Sequence, residues 1–148
     1  MRPIPLCRKT RRDVELTERE NERVVQKIIE AVNRHDTDAM MDHVADDVMR
    51  VGASGTRYDN EGIRKEFADV LASFPDISIR VDRMMSKGNT VWTEGSFSGT
   101  HKGELFGIPA TNKKVGWPVV WIFDFEAGKV KLWKEYFNFQ IVIQQLRG

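Results

Sequence analysis

One cysteine, Cys7, stands in the 148 residues. No intrachain disulfide can form, and nothing argues for an oxidising compartment. Long apolar runs are missing as well. A membrane-spanning helix needs about 18 to 20 consecutive apolar residues, and no segment supplies them. The basic N-terminus also lacks the apolar stretch that follows in a secretory leader. The cytoplasm is the expected location. Net charge is close to absent, at +1, yet it is unevenly spread. Residues 1–12, MRPIPLCRKTRR, hold five basic groups and no acid, which leaves 18 basic against 22 acidic groups in the remainder. A body of that sign does not offer the basic face that nucleic-acid phosphates need. Residues 1–16 are expected to form a flexible basic tail, and 17–148 a single domain.

What is present is a change of period halfway along. TERE, from Thr17 to Glu20, has the spacing of a capping box, and Val24, Val25, Ile28, Ile29 and Val32 then recur at helical spacing. A break and a short second helix follow within 34–48, with Asp36 to Asp38 supplying the cap. VMRVGA (48–53) reads as a short strand. A third helix starts near Asp59 or Asn60 and carries Ile63, Phe67, Val70, Leu71 and Phe74 on one stripe until Pro75 ends it. From Asp76 onward the pattern is that of strands: ISIRVDRMM and TVWTEGSFSGTH flank SKGN, and VGWPVVWIFDF and KVKLWKEYF flank EAGK. QIVIQQL closes as a short helix or a last strand extension. Helices first and antiparallel strands after them predict an α+β fold, with helices packed on one face of a curved sheet.

Each strand link has glycine as its third residue, which suits a type I turn closed by a left-handed glycine. Such a turn at Ser86–Gly88 sets Met85 across from Asn89 and Arg80 across from Glu94, a cross-strand ion pair that makes Glu94 structural. At Glu126–Gly128 it puts Trp117, Val119, Trp121, Phe123 and Phe125 on one face with Trp133, Glu135 and Phe137. The other face receives Val120, Ile122 and Asp124 with Val130, Leu132, Tyr136 and Asn138. Both faces are apolar, so the one away from the helices is expected to meet a second layer or a partner subunit. Glu135 and Asn138 differ in parity, so one of them enters a given cavity unless a bulge intervenes.

The acid-rich stretch with His35, Asp36, Asp38, Asp42, His43, Asp46 and Asp47 invites a metal reading. Its histidines are eight apart rather than four, no carboxylate spacing matches a known loop, and aspartate is common at caps, so no metal site is expected. His101, at a strand end in GTH, is a candidate for shuttling a proton at the pocket mouth. Trp117 and Trp121 on one face suit a flat or polycyclic ligand, although tryptophan more often fills a core.

YDNEGIRKEFADVLASFPDISIRVD (58–82), GTHKGELFGIPATNKKV (99–115) and GKVKLWKEYFNFQIVIQQL (128–146) together resemble the SnoaL-like polyketide cyclase family of the nuclear transport factor 2-like superfamily. The resemblance implies an open cone of three helices against a strongly curved antiparallel sheet, with a pocket between them and assembly into dimers or larger oligomers through the sheet. It further implies an acid on the last strand that serves as general acid and base in an intramolecular aldol closure, without metal or cofactor. Family members commonly carry aspartate where this chain has Asn138, seven residues before the second glutamine of QQL. An amide cannot take a proton at neutral pH. Asn138 is expected in the cavity, with Tyr136 and Leu132 on the same wall, and Glu135 at a rim or interface. Should Glu135 enter the cavity instead, Trp117 and Trp121 would desolvate it and it would be the available base.

These readings converge on a homo-oligomeric pocket protein for a small apolar or polycyclic molecule. Its leading function is a cofactor-independent cyclase or isomerase acting next to a carbonyl, with Glu135, Asn138 and His101 as catalytic candidates and Trp117, Trp121, Tyr136 and Leu132 as ligand contacts. A non-catalytic binding or interaction domain is the rival, and Asn138 is its main support.

Overall fold

The computed structural model describes residues 8–148; residues 1–7, with Cys7 and Arg2 of the expected tail, lie outside the described residues. Helix α1 (Arg11–Asn33) begins well upstream of TERE. Thr10 is its N-cap, with Oγ1 accepting from the Asp13 amide at 3.1 Å while the Asp13 carboxylate accepts from the Thr10 amide at 2.9 Å. TRRD has the same box spacing as TERE, and no glycine or proline interrupts 11–33, so the helix runs through the second box. Residues 11–16 are therefore helical rather than tail. Helix α2 (Thr37–Met41) is capped by Asp36, and strand β1 (Val44–Val51) takes over residues expected in that helix. Strand β2 (Arg57–Tyr58) leads into α3 (Asn60–Ser73), whose cap Asp59 accepts from the Gly62 amide at 2.8 Å.

Four strands complete the sheet: β3 (Ser78–Lys87), β4 (Thr90–Thr100), β5 (Lys114–Glu126) and β6 (Lys129–Tyr136). Their spatial order is β2-β1-β6-β5-β4-β3. Every neighbouring pair is antiparallel except β1 with β6, which run parallel across a register shift between Val44 and Met49. The α+β class is as expected. Helix α1 packs on β3 and β4, and α3 on β1, so the helices cover one concave face. Asn33 fixes α1 to the edge strand: its Nδ2 donates to the Ile79 carbonyl at 2.9 Å and its Oδ1 accepts from the Ile79 amide at 2.7 Å.

The turns are tighter than expected. Lys87 pairs with Thr90 and Glu126 with Lys129, so both hairpins close through two residues. Ala127 and Gly128 have φ of 49° and 77°, and Gly88 has φ of 60°, the left-handed values that two-residue hairpin turns require. Each hairpin then recovers an extra residue in a bulge, at Asp82 and at Lys131. The shorter turn sets Arg83, not Arg80, opposite Glu94 on the turn side of the first bulge, with Arg83 Nη2 2.6 Å from the carboxylate; Arg80 bonds Asp82 instead. Gly95 sits at that bulge because a Cβ there would lie 1.9 Å from the Arg80 carbonyl oxygen. The second bulge turns Val130 inward, where it is fully buried, and leaves the other faces as predicted.

QIVIQQL is helical, within α4 (Phe139–Arg147). Strand β6 stops at Tyr136, opposite Val120, so the first residues of β5 have no strand partner on that side. Gln145 takes the place of one: its Nε2 donates to the Gly116 carbonyl at 2.7 Å, and its Oε1 accepts from the Gly116 amide at 3.0 Å. The convex face keeps Met85, Trp92 and Tyr136 exposed, with Ile122 paired between Trp92 and Lys134. Among the described residues no helix is long and apolar enough to cross a membrane.

Candidate functional site

Between the helices and the concave face lies a cavity of about 670 Å³. Phe74, Phe97, Trp117, Trp121 and Phe137 form much of its wall, and Lys65, Asp69, Glu104 and Phe106 stand at its exposed rim. Trp117 and Trp121 thus meet the cavity as their shared parity predicts. Phe97 stacks on Trp117 with ring centroids 4.1 Å apart, which leaves a stiff aromatic surface rather than a loose one.

Its polar end is built from four elements. Arg50 comes from β1, Tyr58 from β2, Glu66 from α3 and Glu135 from β6. The Arg50 side chain is only 3% exposed, and those of Glu66 and Glu135 are 16% and 15% exposed. Arg50 Nε donates to Glu66 Oε2 at 2.6 Å, and Nη2 lies 3.4 Å from Glu66 Oε1 and 3.1 Å from Glu135 Oε2. Trp121 Nε1 donates to that same Glu135 oxygen at 2.6 Å. Below the guanidinium lies the Trp133 ring, its centroid 4.5 Å from Cζ. Burial disfavours the arginine charge, but the Glu135 and Glu66 carboxylates outweigh it and hold Arg50 above the ordinary arginine value. Two carboxylates against one guanidinium leave one negative charge in excess, in a pocket that screens it poorly. Tyr58 is pushed above the usual phenol range, chiefly by burial and then by the Glu66 charge, with Thr56 and Arg50 opposing. Its hydroxyl therefore stays protonated and able to donate at neutral pH.

The expectation for Asn138 is overturned. It is the N-cap of α4, its Oδ1 accepting from the Gln140 amide at 2.9 Å, and it borders a shallow depression on the convex side. The strand ends at Tyr136, so the alternation that placed Asn138 no longer applies. Tyr136 and Leu132 point outward too, and neither lines the cavity. Glu135, expected at a rim or interface, instead enters the cavity through the face it shares with Trp121 and Trp133. His101 is fully buried behind Phe74, with ring centroids 5.6 Å apart, and does not line the cavity. Its Nδ1 accepts from the Thr111 amide at 3.2 Å and lies 3.0 Å from Thr111 Oγ1, which ties the two ends of the 101–113 loop together. The acid-rich stretch is committed to structure as well: Asp36 caps α2, Asp38 pairs with Arg64 and Asp47 with Lys131. Among the described residues no group of three or more His, Cys, Asp or Glu gathers as metal ligands would.

Arg50, Glu66 and Tyr58 were not singled out from the sequence. Two signals existed. Glu66 shares the helical stripe of Ile63, Phe67 and Val70, and Arg50 keeps the inward parity of Val48 on a strand. A charge at a core position is the kind of exception that marks a site.

The sequence pattern of the SnoaL-like polyketide cyclase family matches residues 22–146. The chain belongs to that family. Among solved structures, a proposed polyketide cyclase from Xanthomonas campestris pv. campestris is 24% identical, with a TM-score of 0.83 over 88% of this chain and 98% of that one. AclR, a proposed hydroxylase from Streptomyces galilaeus, is 23% identical, with a TM-score of 0.81 over 88% and 97%. IdmH, a proposed polyketide cyclase from Streptomyces antibioticus, is 21% identical, with a TM-score of 0.77 over 86% and 99%. At these identities the structures establish the shared fold. A comparison with curated protein sequences finds no match.

The chain has two tyrosines, which makes the Tyr58 environment directly readable. In an alkaline titration followed by ultraviolet absorbance, Tyr58 should ionise later than a model phenol, and Tyr58→Phe should remove that late step. A raised folded value means that its contribution to stability is complete below the unfolded phenol value, near 10, and fades as pH climbs through the folded one. A Tyr58 step at or below the model value contradicts the environment described.

Proposed function

We propose that this protein is a cyclase or isomerase that needs no cofactor and moves a proton beside a carbonyl of an apolar, ring-forming or polycyclic substrate. The observation that carries the reading is Glu135, a carboxylate facing the aromatic cavity with Oε2 held by Trp121 and Arg50. Among the described residues Oε1 has no hydrogen-bond partner, so its lone pairs are free for a substrate C–H. In an aldol closure Glu135 takes the proton from the carbon next to one carbonyl. That carbon attacks a second carbonyl carbon, the new C–C bond forms, and the resulting alkoxide recovers a proton from the Glu135 carboxylic acid. No atom is gained or lost, so the product is an isomer of the substrate. The Tyr58 hydroxyl is suited to donate to the enolate oxygen while charge resides there.

The volume, about 670 Å³, falls in the range of small-molecule pockets, roughly 300 to 1,000 Å³. The rival reading, a binding domain without chemistry, rested on an amide in place of the acid. It loses that support because Asn138 is a helix cap and a carboxylate enters the cavity from three residues earlier. A second copy of the chain is the proposed cover for the convex face, where Trp92 is 49% and Tyr136 53% exposed. A solvated sheet face would be expected to alternate to polar residues instead.

Two measurements follow. With 2-tetralone in deuterium oxide, the wild type should accelerate exchange of the protons next to the carbonyl, and Glu135→Gln should lower that rate by about 10²- to 10⁴-fold while keeping the fold. Exchange that survives Glu135→Gln would remove the proposed base. Sedimentation at micromolar concentration should show a dimer, and Trp92→Arg should shift it toward monomer. A wild-type monomer would exclude the convex face as a stable self-interface.

A further inference from the structure

The Glu135 carboxylate is one corner of a larger arrangement, in which Glu66 has no task in the reaction above and Arg50 enters only as a contact of Oε2. Arg50 is almost wholly buried, and its guanidinium is constrained on three sides. Glu66 engages Nε and Nη2 along one edge, at 2.6 and 3.4 Å. The Trp133 ring lies beneath it, and the Phe67 ring centroid is 6.0 Å from Cζ. Nη2 is left 3.1 Å from Glu135 Oε2. Nη1 is buried without a hydrogen-bond partner, so the position of the group is not set by satisfying every donor. A fold that needed only a buried ion pair would be served by one carboxylate, and apolar residues often replace such a pair without loss. Here two are spent on one cation, and each arrives from a different element.

We infer that Arg50 and Glu66 are positioning residues for Glu135: Glu66 fixes the guanidinium fork, and the fork, with Trp121, pins Oε2 so that Oε1 is the oxygen presented to the ligand. The logic is geometric. A glutamate has three rotatable side-chain torsions, and a carboxylate held by one donor can still swing about that contact. Two donors converging on one oxygen, from β5 and β1, remove that freedom. The Arg50 donor can converge only if its own torsions are held, which the 2.6 Å Nε–Glu66 contact and the Trp133 face do. The charged and titratable groups around Glu135 are Arg50 from β1, Glu66 from α3 and Tyr58 from β2. Of these only Arg50 donates to it.

This inference rests on Glu135 being the reacting group, but its test does not need a substrate. Each of the four tryptophans gives one indole N–H resonance, and Trp121→Phe identifies the one that belongs to Trp121. A 2.6 Å bond to a carboxylate should place that resonance downfield and slow its solvent exchange. In Glu66→Gln, which keeps the size and one acceptor, and in Arg50→Met, which keeps the stem, the Trp121 signal should move upfield and its exchange quicken at least several-fold. The Trp92 and Trp117 signals should stay in place, which a general loosening of the fold would not allow. Arg50→Lys restores charge without the fork and should fail to restore the signal. Where wild type exchanges 2-tetralone protons, Glu66→Gln should lower kcat with KM little changed. An unmoved Trp121 signal in folded Glu66→Gln and Arg50→Met, or full recovery in Arg50→Lys, overturns the positioning role. A moved Trp121 signal together with no exchange in wild type would uphold the positioning and reject the reaction, so the two failures are separable.

Discussion

A guanidinium removed from water must keep its counter-charges close, and in this fold that requirement falls on Arg50. The cost of an unpaired buried charge is several kcal/mol, enough to consume much of a domain's net stability. Arg50 lies on β1, which joins the sheet by parallel pairing with β6 and carries β2 at its outer edge. Glu135 reaches it from β6 in the same sheet, while Glu66 reaches it from the helix that closes the cavity. The ion cluster therefore spans both layers. It ties α3 to the sheet at the point where the cavity ends, and the aromatic wall begins directly beside it. The proposed chemistry and the architecture share one set of contacts, and the charge left over when two acids face one base resides at the cavity floor.

The same requirement explains what the strands do near the site. Trp121, Trp133 and Glu135 must share the concave face for the indole and the guanidinium to converge on one carboxylate. A two-residue turn at Ala127–Gly128 followed by a bulge at Lys131 delivers that face. A turn one residue longer and no bulge would deliver it also. That is why the face assignment for Trp117, Trp121 and Glu135 was legible in the sequence although the turn was not. Val130 fell on the wrong side because it lies between the turn and the bulge, where the two routes differ. In the first hairpin the shorter turn moved the partner of Glu94 from Arg80 to Arg83, which likewise lies between the turn and the bulge. Strand periodicity records which residues are buried, and it carries little about where an extra residue is inserted.

Of the fold, the helices α2 and α3, the strand-rich second half and the family membership could be read directly from caps, stripes and motifs. Of the site, its aromatic wall could; Glu135 was placed on the correct sheet face, but at a rim or interface rather than in the cavity. Asn138 was misplaced because a strand pattern was continued into residues that begin a helix. The signal for that helix was the cap itself, an asparagine followed by an amphipathic run ending in QQL. His101 drew attention as a titratable group near a loop, yet its contacts with Thr111 and Phe74 make it a loop anchor. Arg50 and Glu66 each carry a local signal, a charge at an inward-facing position, but the pattern does not say that the two meet. Their meaning lies in a contact across 16 residues, which no local pattern records.

In the proposed reaction Glu135 Oε1 is the group that meets the reacting carbon. A crystal structure with 2-tetralone bound tests it most directly. The ligand should lie inside the aromatic cavity, with a carbon next to the carbonyl within roughly 3.5 Å of Oε1, the separation expected of reacting atoms. Glu135 Oε2 should remain on Trp121 and Arg50. A ligand seated in the cavity with both such carbons beyond reach of Glu135, or bound on the convex face, would contradict it.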